Sequence, residues 1–218
     1  MESLNGNKVS KRSYRILAPA MGLFLDNTAE VPAELIESEV FNAIKGGERR
    51  IEVSSDYRHI VSVGRAIKKA VAERIITRKS LFIGLHVAAH LKFVGENSLA
   101  TFTTQVLDGF LALGVETVDM LTAQRPIEYN QGMLAASMSL CATWQKMVEL
   151  IKKDKIRFIG IMDWKPNHIV KILEIIDSPP QILFLRNDNE PGIKFCQQNG
   201  LNYFHFEVIR TENAENEE

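Results

Sequence analysis

Only two cysteines, Cys141 and Cys196, occur in 218 residues. Two thiols build neither a disulfide framework nor a thiolate metal site, and both lie among apolar residues at helical spacing, so they read as small buried hydrophobes. Runs of apolar residues stay well short of the roughly 18 that a bilayer-spanning helix needs. The opening residues, Met1 to Lys8, lack the apolar core of a secretory leader. A cytoplasmic, reduced setting and no membrane partner are therefore expected. A basic surplus is missing too: 26 Lys and Arg stand against 27 Asp and Glu, a formal charge of −1. A protein held on phosphate backbones needs a concentrated positive face, so no nucleic-acid partner is expected. His59, His86 and His90 have no Cys or carboxylate at ligand spacing beside them, which argues against a metal.

Linkers rich in Pro, Gly and Ser are also lacking, which predicts one domain. It spans residues 16–210, between a flexible polar arm (1–15) and a disordered acidic tail (211–218) with four glutamates. An apolar fraction of 45% is ordinary for a globular domain of this length. Within it, short apolar runs alternate with amphipathic ones. Strands are predicted at 20–25, 50–55, 81–85, 117–123, 157–162, 181–185 and 203–209. Several are almost continuously apolar, as parallel strands covered on both faces must be. Helices are predicted at 33–45, 61–76, 102–113, 142–153, 166–176 and 190–199, the first bounded by Pro32 and Gly46-Gly47. The stretch 126–141 reads as a long loop. Such alternation implies right-handed βαβ units and an α/β fold of the TIM-barrel type, here with seven strands where closure takes eight.

The most informative segment is Gly46-Gly47-Glu48-Arg49-Arg50-Ile51-Glu52-Val53-Ser54-Ser55-Asp56-Tyr57, followed by His59-Ile60 and Val63-Gly64-Arg65-Ala66-Ile67. It resembles the aldo-keto reductase signature G-x-R-x-(I/F)-D-T-A-x-x-Y and the N-E-x-x-V-G-x-A-I stretch after it. Leu81-Phe82-Ile83-Gly84-Leu85-His86 is similar to the family's L-F-I-T-(T/S)-K strand, and Leu113 to Met120 to its L-G-L-D-Y-V-D-L. Gln124-Arg125-Pro126 stands where the family has H-W-P. The resemblance implies an aldo-keto reductase barrel, incomplete at its C-terminus. It places the catalytic tetrad positions at Glu52 (for Asp), Tyr57 (Tyr), His86 (for Lys) and Gln124 (for His). The nicotinamide-holding positions become Met162 and Asp163, with Phe184 on the next strand, and the phosphate-gripping segment has no counterpart.

Hydride transfer to a carbonyl needs a proton donor with a cation beside it. With Lys, His and Asn all replaced, the expectation is a catalytically degenerate relative that binds no cofactor. Tyr57 is then a structural tyrosine and Glu52 a salt-bridged plug. A second resemblance, to the modifier subunit of glutamate–cysteine ligase, rests on Ile51 to Ser55, Pro126-Ile127-Glu128 and Lys155-Ile156-Arg157-Phe158-Ile159-Gly160-Ile161-Met162-Asp163. It implies a non-catalytic regulatory subunit in glutathione biosynthesis whose partner is that ligase's catalytic subunit. Arg125, Glu128 and Trp164 are the candidate contacts. The alternative is an NADPH-dependent aldo-keto reductase with a divergent site, in which His86 serves as the cation if Glu52 pairs with it.

Overall fold

The structure is a computed structural model that describes residues 23–25, 32–87, 96–124, 133–162, 166, 170, 182–186 and 190–206. Its centre is a parallel sheet of seven strands: β1 (Leu23–Leu25), β2 (Arg50–Ser54), β3 (Phe82–Val87), β4 (Val118–Gln124), β5 (Ile156–Met162), β6 (Ile182–Arg186) and β7 (Tyr203–Phe206). The strands lie in chain order, each hydrogen-bonded to the next. An open doubly wound sheet would reverse its order at a switch point. Unbroken order with helices between strands is the wall of a (β/α) barrel, as expected. The helices are α1 (Ala33–Lys45), α2 (Ile60–Ala72), α3 (Glu96–Leu113), α4 (Met133–Lys152) and α5 (Glu190–Asn199).

The outer face of the sheet makes the core. Ile51, Val53, Ile83, Leu85, Leu121, Ile159 and Ile161 form one buried cluster with Val40 and Ile44 of α1, Val63 and Ile67 of α2, Val106 of α3 and Met147 of α4. The helical members recur three or four residues apart, which lays one stripe on the sheet. Burying each such side chain contributes about 1.5–3 kcal/mol. Trp144, 2% exposed, belongs to the same layer.

The helices leave by one device. After α1, α2, α3 and α4 a residue of positive φ (Gly47, Arg74, Gly114 and Asp154) reverses the chain. The amide after each bonds five residues back, as Val115 N does to Phe110 O (3.1 Å) and Ile75 N to Ala70 O (3.0 Å). That is why α2 stops at Ala72 rather than running to 76. A larger correction concerns the stretch 126–141: α4 begins at Met133, so residues 133–141 are helical. Met, Leu and Ala are strong helix formers, and their propensity outweighs the loop character suggested by the small residues among them. Most of the predicted helix 166–176, the arm 1–15 and the tail 211–218 lie outside the described residues.

Near the amino ends of the strands, Asp119 accepts from Arg78 Nη2 (3.0 Å), Arg157 Nη1 (2.9 Å) and the Ile83 amide (3.0 Å). One carboxylate thus ties β3, β4 and β5 together.

Candidate active site at the carboxyl ends of the strands

Register stacks the residues of one sheet face in rows. Arg50 pairs with Phe82. Above them run Phe24, Glu52, Gly84, Met120 and Phe158, then Ser54, His86, Thr122, Gly160 and Ile182. The last row, at the carboxyl ends, is Gln124, Met162, Phe184 and Phe204.

Polar groups in this interior converge. Glu52 Oε1 lies 2.6 Å from Arg50 Nε, and its Oε2 lies 2.9 Å from His86 Nε2. On its other side, His86 Nδ1 is hydrogen-bonded to the Thr122 hydroxyl. All four are nearly inaccessible to solvent: Arg50 4%, Glu52 3%, His86 0% and Thr122 0% exposed. Arg50 also stacks over the Phe82 ring, 5.5 Å from its centroid. The charges of Arg50 and Glu52 are tolerated in a dry interior because each is the other's partner. The carboxylate fits because residue 84 has no side chain: a Cβ there would stand 1.6 Å from Glu52 Oε2.

Tyr57 sits in the turn after β2, 4% exposed and edge-on to His59 with ring centroids 5.7 Å apart. Its amide bonds to Ser54 O (3.1 Å), and the neighbouring Ser55 amide bonds to His86 O (2.8 Å). The Tyr57 turn is therefore stapled to the end of β3 that carries His86. Parallel barrels place their reacting groups at this end.

The structure thus brings Glu52 and His86 into contact and holds Tyr57 at the same end of the adjoining strand. Gln124 and Phe184 take the register positions given above, and Met162 is buried at 4% exposed. Arg125, Glu128, Asp163 and Trp164 lie outside the described residues, as does His90. Arg50, Gly84 and Thr122 were not singled out from the sequence, although the period of two along a strand puts Arg50 with Glu52 and Gly84 with His86. Among the described residues, no three His, Cys, Asp or Glu side chains converge as a metal site, and no helix is long and apolar enough to cross a membrane.

Comparison with known proteins places this geometry. Residues 25–211 match the model of the Aldo/keto reductase family. A probable NAD(P)H-dependent D-xylose reductase of Arthroderma otae is 28% identical over 187 residues, 79% of this chain and 57% of the relative. Aldose reductase B of Dictyostelium discoideum is 26% identical over 198 residues, 84% of this chain and 63% of the relative. The chain therefore spans less than two thirds of the length of these relatives. The crystal structure of a Bombyx mori aldo-keto reductase in complex with NADP superposes with a TM-score of 0.74 at 20% identity, covering 90% of this chain and 66% of that one. It supports the barrel fold.

Two expectations are corrected by these relatives. A non-catalytic subunit regulating glutamate–cysteine ligase is not what the chain resembles: the relatives are named as reductases. Equally, the expectation of no cofactor conflicts with a relative named as NAD(P)H-dependent. The physical reason for both errors is the same. Asp→Glu and Lys→His each look like a loss when taken alone, whereas Glu52 Oε2 and His86 Nε2 lie 2.9 Å apart in the structure. The contacts expected for a ligase partner, Arg125, Glu128 and Trp164, lie outside the described residues. With the family match running through most of its length, the chain belongs to the aldo/keto reductase family.

Proposed function

We propose that this protein is an NAD(P)H-dependent oxidoreductase that reduces an aldehyde or ketone to an alcohol. The observation that carries the reading is the buried Glu52–His86 contact of 2.9 Å beside the Tyr57 turn. Carbonyl reduction takes two electrons and two protons, delivered as a hydride to carbon and a proton to oxygen. A phenol is a weak acid at neutral pH and needs a neighbouring group that can carry positive charge. His86 is that group. Glu52 holds the imidazole in place, and Arg50 balances the carboxylate.

The described residues fit a nicotinamide in one respect. Met162, buried and apolar at the end of β5, suits the surroundings of a flat ring, and its backbone is in register with Phe184 and, through it, with Phe204. When bound, that cofactor supplies the hydride. Tyr57 donates the proton to the carbonyl oxygen, and the Glu52–His86 couple stabilises the phenolate left behind.

Purified protein should oxidise NADPH when given D-xylose or glyceraldehyde, followed by NADPH absorbance. Tyr57→Phe should lower kcat by about 100-fold or more, the scale of a lost general acid. Absence of turnover together with absence of NADPH binding would overturn the proposal.

A further inference from the structure

Helix α2 starts at a residue that does not cap it. His59 holds the N-cap position, with φ −110° and ψ 21°, and its side chain makes no capping hydrogen bond. Ser, Thr, Asp and Asn are favoured there because a short polar side chain reaches the open amides of the first turn. The His59 ring stands edge-on to Tyr57 instead, with centroids 5.7 Å apart and planes at 87°. Aromatic pairs favour this arrangement, in which the edge of one ring meets the face of the other. Both rings rise from held backbone. The Tyr57 carbonyl accepts from the Ile60 amide at 3.0 Å, and the His59 carbonyl accepts from Ser62 N at 2.9 Å and Val63 N at 3.2 Å. Val63 is itself fully buried in the core beneath that turn.

We infer that His59 is a positioning residue for Tyr57, its ring setting the attitude from which the phenol meets a carbonyl oxygen. The inference deepens the proposed function and rests on it for its catalytic meaning. A tyrosine side chain turns about two bonds, and a held backbone alone sets neither of them. A reacting group displaced by about an ångström loses much of its effect. The imidazole, packed against the phenol from two residues along the chain, supplies a constraint on the ring that the backbone does not. Burial agrees with this division of roles: Tyr57 is 4% exposed, whereas His59 is half-buried. A ring with an apolar body and polar nitrogens suits a half-buried place beside a buried partner. The missing cap points the same way. Leaving a helix start uncapped costs local stability, and such departures from local rules gather at functional sites.

His59→Ser separates a positioning role from a structural one, because it supplies a capping hydroxyl while removing the ring. Its melting temperature should equal or exceed that of wild type. Its kcat for NADPH oxidation with glyceraldehyde should fall about tenfold, the upper range of an edge-to-face pair, with the KM for NADPH unchanged. His59→Phe keeps a ring that can serve as edge or face and should recover most of that kcat. The contact itself is read from the ring ¹H–¹³C signals of tyrosine-labelled protein. The chain has four tyrosines, and Tyr57 is assigned by the signal lost in Tyr57→Phe. That signal should move toward the position of an exposed tyrosine in His59→Ser and away from it again in His59→Phe. His59→Thr takes the place of serine if that variant fails to give a native circular dichroism spectrum. A serine variant with wild-type kcat, a loss that phenylalanine does not recover, a loss that runs with a lower melting temperature, or a Tyr57 signal indifferent to His59→Ser overturns the inference. A wild-type protein that shows the ring contact but oxidises no NADPH sinks the reductase reading, and with it the role given to His59, while the contact stands.

Discussion

Glu52 occupies the space that a side chain at residue 84 would fill, its Oε2 only 1.6 Å from where a Cβ on Gly84 would stand. Because the obstructing atom ends a flexible side chain, Gly84→Ala should displace the carboxylate rather than the sheet. Arg50 and His86 then lose their shared partner. A buried charge stripped of its partner costs about 3 kcal/mol, so urea unfolding should show Gly84→Ala destabilised by roughly that amount, with turnover reduced at least tenfold. An alanine variant as stable and as active as wild type would refute the arrangement.

Gly64 lies in the middle of α2, where alanine normally favours the helix by about 1 kcal/mol. Here the sign should reverse. A Cβ at Gly64 would stand 2.7 Å from Ala112 O and 2.8 Å from Leu113 O, backbone atoms that cannot turn aside. Gly64→Ala is expected to lose about 1–3 kcal/mol through overpacking between α2 and α3. A rise in melting temperature would show that the two helices can separate freely.

Arg74 and Asp154 carry positive φ, 59° and 54°, at the ends of α2 and α4. A side chain in that conformation costs roughly 1 kcal/mol, which glycine avoids. Arg74→Gly and Asp154→Gly should each raise stability by several tenths to about 1 kcal/mol, measured by thermal unfolding. Following different helices, they should add in the double variant.

Burial pushes the Cys196 thiol up to about 11. The neutral thiol is thus favoured in the folded state, and the stability it lends is complete below its ordinary value of 9.0. As pH climbs from there through about 11, that contribution is lost, because the unfolded chain ionises first. In a Cys141→Ser background, a disulfide reagent at pH 8 should therefore label Cys196 only as fast as the protein opens, and labelling should jump in denaturant. Rapid labelling of native protein would contradict the burial.

The barrel was legible because its strands are buried on both faces and therefore nearly unbroken in apolar residues. The limits of α1 were readable from Pro32 and the glycine pair at 46–47. The site was harder. The step of two that puts Arg50 and Glu52 on one face is visible in β2, but the meeting of Glu52 with His86 depends on the alignment of residue 52 with residue 84. That alignment is set by how α2 packs, which no local motif encodes. Read position by position, the substitutions look like decay. Read across the sheet, Arg50, Glu52 and His86 follow one another at 2.6 and 2.9 Å along one buried cluster. The start of α4 is hidden for a related reason: Met133-Leu134-Ala135-Ala136 carries no acidic or capping residue that marks where the helix begins.

Strand neighbours in this sheet are also neighbours in the sequence. A chain made from its amino end can therefore add each strand and helix to a surface already standing, closing a loop of a few tens of residues at each step instead of waiting for a distant segment. The carboxylate of Glu52 on β2 would be exposed beside Arg50 until β3 arrives with its gap at Gly84, and the Nδ1 side of His86 would lack its hydrogen bond until β4 brings Thr122. The last of these groups to be placed is Thr122, so the buried cluster is complete only when the fourth strand has joined the sheet.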